Sequence, residues 1–315
     1  MSHWSLQSRI GVFLVGAGLV MFGPAAGLSG QALTRTVYVA VTDKAGALVT
    51  DMRADEFELK YAGKTAAITD VKLATTPLRV ALIVADRGTG IFQAGTLHFL
   101  NALLPRGEFS ITGVVAQPER FADFSGDVNV LKPAVIQLQR RASNQAGAQL
   151  VDAILAAAKE VDKEGFRPAI VVMRAGGEAP TPIRADAVRD EIRKSGAVFY
   201  AISRTGTQSM GGGQSPTTPV TAAAISQANA ESEIREGQLT LGSILGDGTK
   251  DSGGRHIQTV APSLEDLVKQ VAGEIATRYE ITYTIAQAGR PNDKLEVNSK
   301  RKNVVVLAPS RVPTE

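Results

Sequence analysis

Three stretches of the chain are apolar at nearly every position: 78–85 (LRVALIVA), 168–173 (PAIVVM) and 197–203 (AVFYAIS). A strand with no polar face must be covered on both sides, and that occurs in parallel sheets sandwiched between helices. Helical periodicity fills the intervals. Residues 91–104 set Ile91, Ala94, Leu97, His98 and Leu104 near one face, and 147–161 do the same with Leu150, Ile154, Leu155 and Ala158. A helix over 184–194 and a short strand over 255–260 continue the alternation. The last helix opens with Ser263 and Asp266 as a capping box, followed by a stripe of Leu264, Leu267, Val268, Val271 and Ile275. Strand and helix alternating at this spacing predict an α/β fold with a doubly wound, mostly parallel sheet and helices on both faces. Residues 109–117 and 119–126 read as a hairpin, with 109–117 at an antiparallel edge.

The flanks read differently. Residues 36–74 alternate apolar and polar positions around the turns DKAG and YAGK, and 279–286, 294–299 and 303–308 are three more strands. Neither flank is long enough for a sandwich alone, so the two are expected to combine into one small β-module. The layout is then 33–76 and 279–315 as β segments around an α/β domain at 77–278. Residues 204–236 are rich in Gly, Ser, Thr, Gln and Ala and read as a flexible insertion.

Residues 10–22 are apolar or glycine throughout, follow a single charge at Arg9, and lead through Pro24 into small residues. The run is too short for a membrane span and reads as a signal peptide over 1–32, cleaved after Ala32 or after Gly27. The mature chain is expected to be exported, periplasmic or secreted, with no membrane span after cleavage. The chain has no cysteine and a net charge of only +3. Disulfides and thiol chemistry are excluded, and no nucleic-acid partner is expected. The densest basic cluster, Lys300-Arg301-Lys302, falls between two strands and reads as a hairpin turn.

The strand at 78–85 ends in Asp86-Arg87-Gly88-Thr89-Gly90, a carboxylate carried to the edge of the sheet where α/β folds place their sites. The order of pieces resembles the von Willebrand factor A (VWFA) domain, and more closely the exported bacterial VWFA-related family. The opening VYVAVTDKAGALVTDMRADEFELKYAGKTAAI and the closing DSGGRHI and RYEITYT carry the resemblance over roughly 36–309. It implies a metal-ion-dependent adhesion site, in which a first loop D-x-S-x-S, a threonine and an aspartate converge on a divalent cation. Mg²⁺ requires such an octahedron of oxygens. Here Asp86 remains, but Gly88 and Gly90 stand for the serines, Ala148 for the threonine and Ala175 for the aspartate. Thr89, Gln149 and Glu178 carry oxygens nearby, while Arg87 and Arg174 add positive charge. No Mg²⁺ or Ca²⁺ and no other cofactor is therefore expected. Asp86 is expected to accept hydrogen bonds from the glycine turn or to pair with Arg174. The other reading of this edge is an anion or ligand site built from Arg87, Thr89, Arg174 and Glu178.

DSGG at 251–254 looks like a serine-protease motif, but Lys250 and Arg255 flank it and neither His98 nor His256 has a matching context. Both histidines are expected to be structural, His98 packed at a helix face. The expected function is a non-enzymatic protein-interaction module with an unknown protein partner. A metal-dependent adhesin with altered ligands is the alternative, and an exported hydrolase a more distant one. Mass spectrometry of the protein from its native host is expected to find an N-terminus near Leu33 or Leu28. An intact Met1 or Ser2 in soluble protein would count against the signal peptide.

Overall fold

The computed structural model describes residues 33–86, 88–139, 149–176, 181–204, 222–260, 264–285 and 294–312. In chain order the first flank holds β1 (Leu33–Asp43), β2 (Phe57–Tyr61), β3 (Lys64–Thr65) and β4 (Ala67–Leu73). The α/β part follows as β5 (Leu78–Ala85), α1 (Gln93–Leu103), β6 (Gly107–Val114), β7 (Pro118–Ser125), α2 (Val128–Gln137), α3 (Leu150–Glu160), β8 (Arg167–Ala175), α4 (Ala185–Lys194) and β9 (Val198–Arg204). It ends with α5 (Ala222–Ser243), α6 (Thr249–Asp251), β10 (His256–Thr259) and α7 (Glu265–Ala276). The second flank gives β11 (Tyr279–Ile285), β12 (Leu295–Ser299) and β13 (Val304–Leu307).

The central sheet has the order β10-β9-β8-β5-β6-β7. Each apolar side chain of β5 finds a core, because successive residues point to opposite faces. Val80, Leu82 and Val84 pack under α1, α2 and α7. Ala81, Ile83 and Ala85 pack under α3, α4 and the end of α5. Every neighbouring pair is parallel except β6 with β7. The expected placement of 109–117 at an antiparallel edge is thus corrected. β6 follows a helical crossover and lies parallel to β5, and the hairpin's second strand, β7, is the antiparallel edge.

Two helix faces also differ from expectation. In α1 the buried residues are Gly95, Thr96, Phe99, Leu100 and Leu103; Ile91, Leu97 and Leu104 of the expected face pack against the same core, while Ala94 and His98 are exposed. The fully buried rings of Phe92 and Phe99 turn the helix onto their own side, and His98 faces Glu265 at 3.8 Å instead of packing inside. In α7 Leu264 takes the N-cap position with no side-chain cap, and Ser263 of the expected capping box lies outside the described residues. Within 204–236, residues 205–221 lie outside them as well. From Ala222 the chain is helical to Ser243 and runs into a π-turn at Ile244–Gly248, with Leu241, Ile244 and Leu245 buried. No helix among the described residues is long and apolar enough to cross a membrane.

The flanks interleave. One sheet runs β13-β1-β11-β4 and the other β12-β2-β3, so each contains strands from both ends of the chain. Val39, Ile281 and Tyr283 from the first meet Phe57, Leu59 and Val297 from the second in one core. The basic turn 300–302 is not a hairpin turn, because β12 and β13 belong to different sheets. Its Arg301 instead holds Glu56 through a two-pronged contact, Nε–Oε1 and Nη2–Oε2 both at 2.8 Å, and reaches Asp51 at 2.7 Å. The DSGG motif is likewise structural. Ser252 Oγ donates to the Thr249 carbonyl at 2.8 Å and accepts the Phe199 amide at 2.9 Å. Gly254 is required by close approach, since a Cβ there would stand 1.9 Å from the Phe199 carbonyl oxygen.

Hydrogen bonds from Arg301, then from the Arg53 amide, hold the Glu56 carboxyl down at about 2, against an ordinary 4.5. A depressed folded value means a contribution fully present above the unfolded value and lost as pH falls through about 2. Glu56→Gln is expected to lower the urea midpoint at pH 7, with the gap to the wild type closing as the pH drops below 4. A gap that stays constant in acid would sink the assignment.

Candidate functional site

The sheet order reverses between β5 and β8, and α/β sheets bind ligands in the crevice at such a switch point, beyond the carboxyl ends of the strands. Ala85 pairs with Arg174 and Ala175 with Arg204, so β5, β8 and β9 end together there. Asp86 is the next residue of β5. The edge therefore gathers Asp86, the turn Gly88-Thr89-Gly90, and Arg174-Ala175-Gly176. Arg87, Ala148 and Glu178 lie outside the described residues.

Asp86 is 4% exposed. Its Oδ1 accepts the Gly88 amide at 3.0 Å, and its carbonyl accepts both the amide and the hydroxyl of Thr89, at 3.2 and 2.9 Å. Gly88 and Gly90 have φ of 72° and 74°, the left-handed region that lets the turn fold back over its own carboxylate. At Gly90 a Cβ would also stand 2.7 Å from the side chain of Gln139. Burial pushes the Asp86 carboxyl up, and the amides of Gly88, Phe92, Gly90 and Ile91 pull it down; burial is the larger effect. Of the two partners expected for Asp86, the structure supplies the glycine-turn amides. Arg174 donates to the Gly176 carbonyl.

The described residues bring few side-chain oxygens to this edge. Asp86 Oδ2 is buried with no hydrogen-bond partner among the described residues, so one carboxylate oxygen is available. Gly88, Gly90 and Ala175 bring no side-chain oxygen, and the Thr89 hydroxyl donates to the Asp86 carbonyl. Among the described residues no three His, Asp or Glu side chains group together. A small hard cation needs about six oxygens around it.

The structure brings together one pair that sequence reasoning did not. Ser203 Oγ and His256 Nε2 are 2.8 Å apart, across the pairing of β9 with β10. The only sequence signal was position, both residues lying on neighbouring strands. A serine beside an imidazole is the start of a nucleophilic site, but a working site also needs access and a group that orients the base. Ser203 is 3% exposed, and no carboxylate bonds the ring among the described residues. Burial, then the charge of Arg174, lowers the His256 pKa and so favours the uncharged form of the ring. The pair acts as a hydrogen bond between strands.

No protein-family model matches the sequence. No curated protein matches it either. Among solved structures, the chain is similar to the SpRpn10 VWA domain at 16% identity and TM-score 0.40, covering 61% of this chain and 95% of that one. An aerotolerance-related membrane protein from Bacteroides fragilis is 14% identical at TM-score 0.39, over 62% of this chain and 98% of that one. Proximal thread matrix protein 1 from the mussel byssus, solved with zinc in its metal-ion-dependent adhesion site, is 12% identical at TM-score 0.42. That match covers 70% of this chain and 50% of the mussel protein. The chain itself has a doubly wound six-stranded sheet with one antiparallel edge strand, helices on both faces, and an aspartate at the switch point.

Removing the carboxylate strands the Gly88 amide, so Asp86→Ala is expected to cost about 1–3 kcal/mol in chemical denaturation. Asp86→Asn keeps an acceptor for that amide. A carboxyl raised on folding destabilises the charged form, so the wild type loses stability as pH rises through its titration. Asp86→Asn is therefore expected to compare better with the wild type at pH 7 than at pH 4. The reverse order would show that the charge itself is stabilised.

Proposed function

We propose that the chain is an exported, non-enzymatic protein-interaction module, periplasmic or secreted, whose VWFA-like adhesion site has lost its cation. The observation that carries this reading is the turn after β5, where Asp86 is spent on the amide of Gly88 while the other ligand positions offer hydrogen or methyl. The sheet edge then serves as a shaped surface for a protein partner. The modest net charge disfavours nucleic acid as that partner. A hydrolase is disfavoured by the burial of Ser203 and by the structural roles of Ser252.

One observation favours a second reading, a metal-dependent adhesin with altered ligands. The buried Asp86 Oδ2 has no hydrogen-bond partner among the described residues, and a cation would satisfy it. Calorimetric titration of the unmodified protein with Mg²⁺ and Mn²⁺ separates the two. No saturable binding is expected, and no melting shift like the ~2.7 kcal/mol that a hundredfold excess over Kd would bring. Stoichiometric binding that disappears in Asp86→Ala would put the adhesin first.

A further inference from the structure

At the opposite edge of the sheet, where β5, β8 and β9 begin, the β-module closes over a cavity of about 420 Å³. That volume is typical of small-molecule sites. Charged side chains line it, and several are already paired: Arg193 with Asp190, Lys194 with Glu191 at 3.5 Å, and Asp251 with Arg189 at 2.6 Å. Arg167 and Arg278 stand apart from these.

Arg167 and Arg278 are 5% and 3% exposed. Neither meets a carboxylate among the described residues. Arg167 donates to the carbonyls of Thr76, Ile275 and Ala276 at 3.0, 3.4 and 3.5 Å. Arg278 donates to the carbonyls of Tyr38 and Gly253 at 3.2 and 2.8 Å and to the Tyr200 hydroxyl at 2.9 Å, while its Nε is buried without a partner. Carbonyl dipoles tie the β-module to the sheet through these side chains, the rings of Tyr38 and Tyr200 lie against them, and the charges of Glu280 and of the buried Glu274 act on Arg167 and Arg278 from beyond salt-bridge distance. Burial, then the charge of Arg278, brings the Arg167 guanidinium down to about 10. Guanidinium groups bind carboxylates with two parallel hydrogen bonds. The remaining lining is largely apolar, with Val37, Tyr283 and Leu295 contributed by the β-module.

We infer that this cavity is a binding site for a small amphipathic carboxylate, with its head group at Arg167 and Arg278 and its apolar body along Val37, Tyr283 and Leu295. The site lies away from Asp86 and stands independently of whether that edge binds a cation. Decanoate (below its micelle-forming concentration), decanol and acetate, titrated calorimetrically into the full chain, test it. Decanoate is expected to bind once per chain, at least tenfold tighter than decanol, with acetate too weak to detect. Arg167→Gln is expected to weaken decanoate at least tenfold and to leave decanol unchanged. Equal binding of acid and alcohol, absence of decanoate binding, or decanoate affinity unchanged in Arg167→Gln would each overturn the inference. The comparison of acid with alcohol on the wild type is decisive alone, so a variant that fails to fold does not protect the proposal.

Discussion

The constraint on which the rest of the structure depends is that β5 has no polar face to give to water. Its residues from Val80 to Ala85 are all buried, alternately under two sets of helices. A strand in that position must lie inside its sheet, with connections leaving to both sides. Those connections create the reversal of strand order between β5 and β8. The reversal opens the crevice, and the residue after the strand, Asp86, is delivered to it. Position at this edge is thus a product of packing, before any chemistry is asked of the carboxylate.

The chemistry available there is decided by small substitutions in loops. Glycines at 88 and 90 let the turn close over Asp86, and the same choice leaves those two positions without a side-chain oxygen. Flexible backbone and side-chain ligands are alternatives at one position, because a residue that supplies an oxygen also carries a Cβ. At Gly90 that Cβ would meet Gln139.

Much of this was legible in the sequence. The buried strands announced themselves through continuous apolar runs, and Asp86 through its place at the end of one. The helix faces were harder. In α1 Ile91 and Leu97 pack against the margin of the core as their spacing predicts and Ala94 does not, while Phe92 and Phe99 take the fully buried positions, since large rings gain most from burial. Strand direction at 109–117 was misjudged because a hairpin fixes only how its two strands run relative to each other, and the helical crossover before β6 fixes the rest. Pairings between distant segments, such as Arg301 with Glu56 or Ser203 with His256, left no local trace. The cavity around Arg167 and Arg278 was invisible for the same reason, since its lining comes from both flanks and from the α/β part between them.

The placement of β1 has a kinetic consequence. Val37 pairs with Ile281 and Ala40 with Leu307, so β1 finds these neighbours only once β11 and β13 have been made. Long-range pairing of this kind raises contact order and slows folding. A chain emerging from its N-terminus can assemble the parallel sheet from β5 to β10 first, while β1 waits with both hydrogen-bonding edges open. An open edge is a template for another chain's strand. β1 is therefore open to strand exchange between copies until β11 and β13 are in place, and loss of those two strands would leave that hazard permanent.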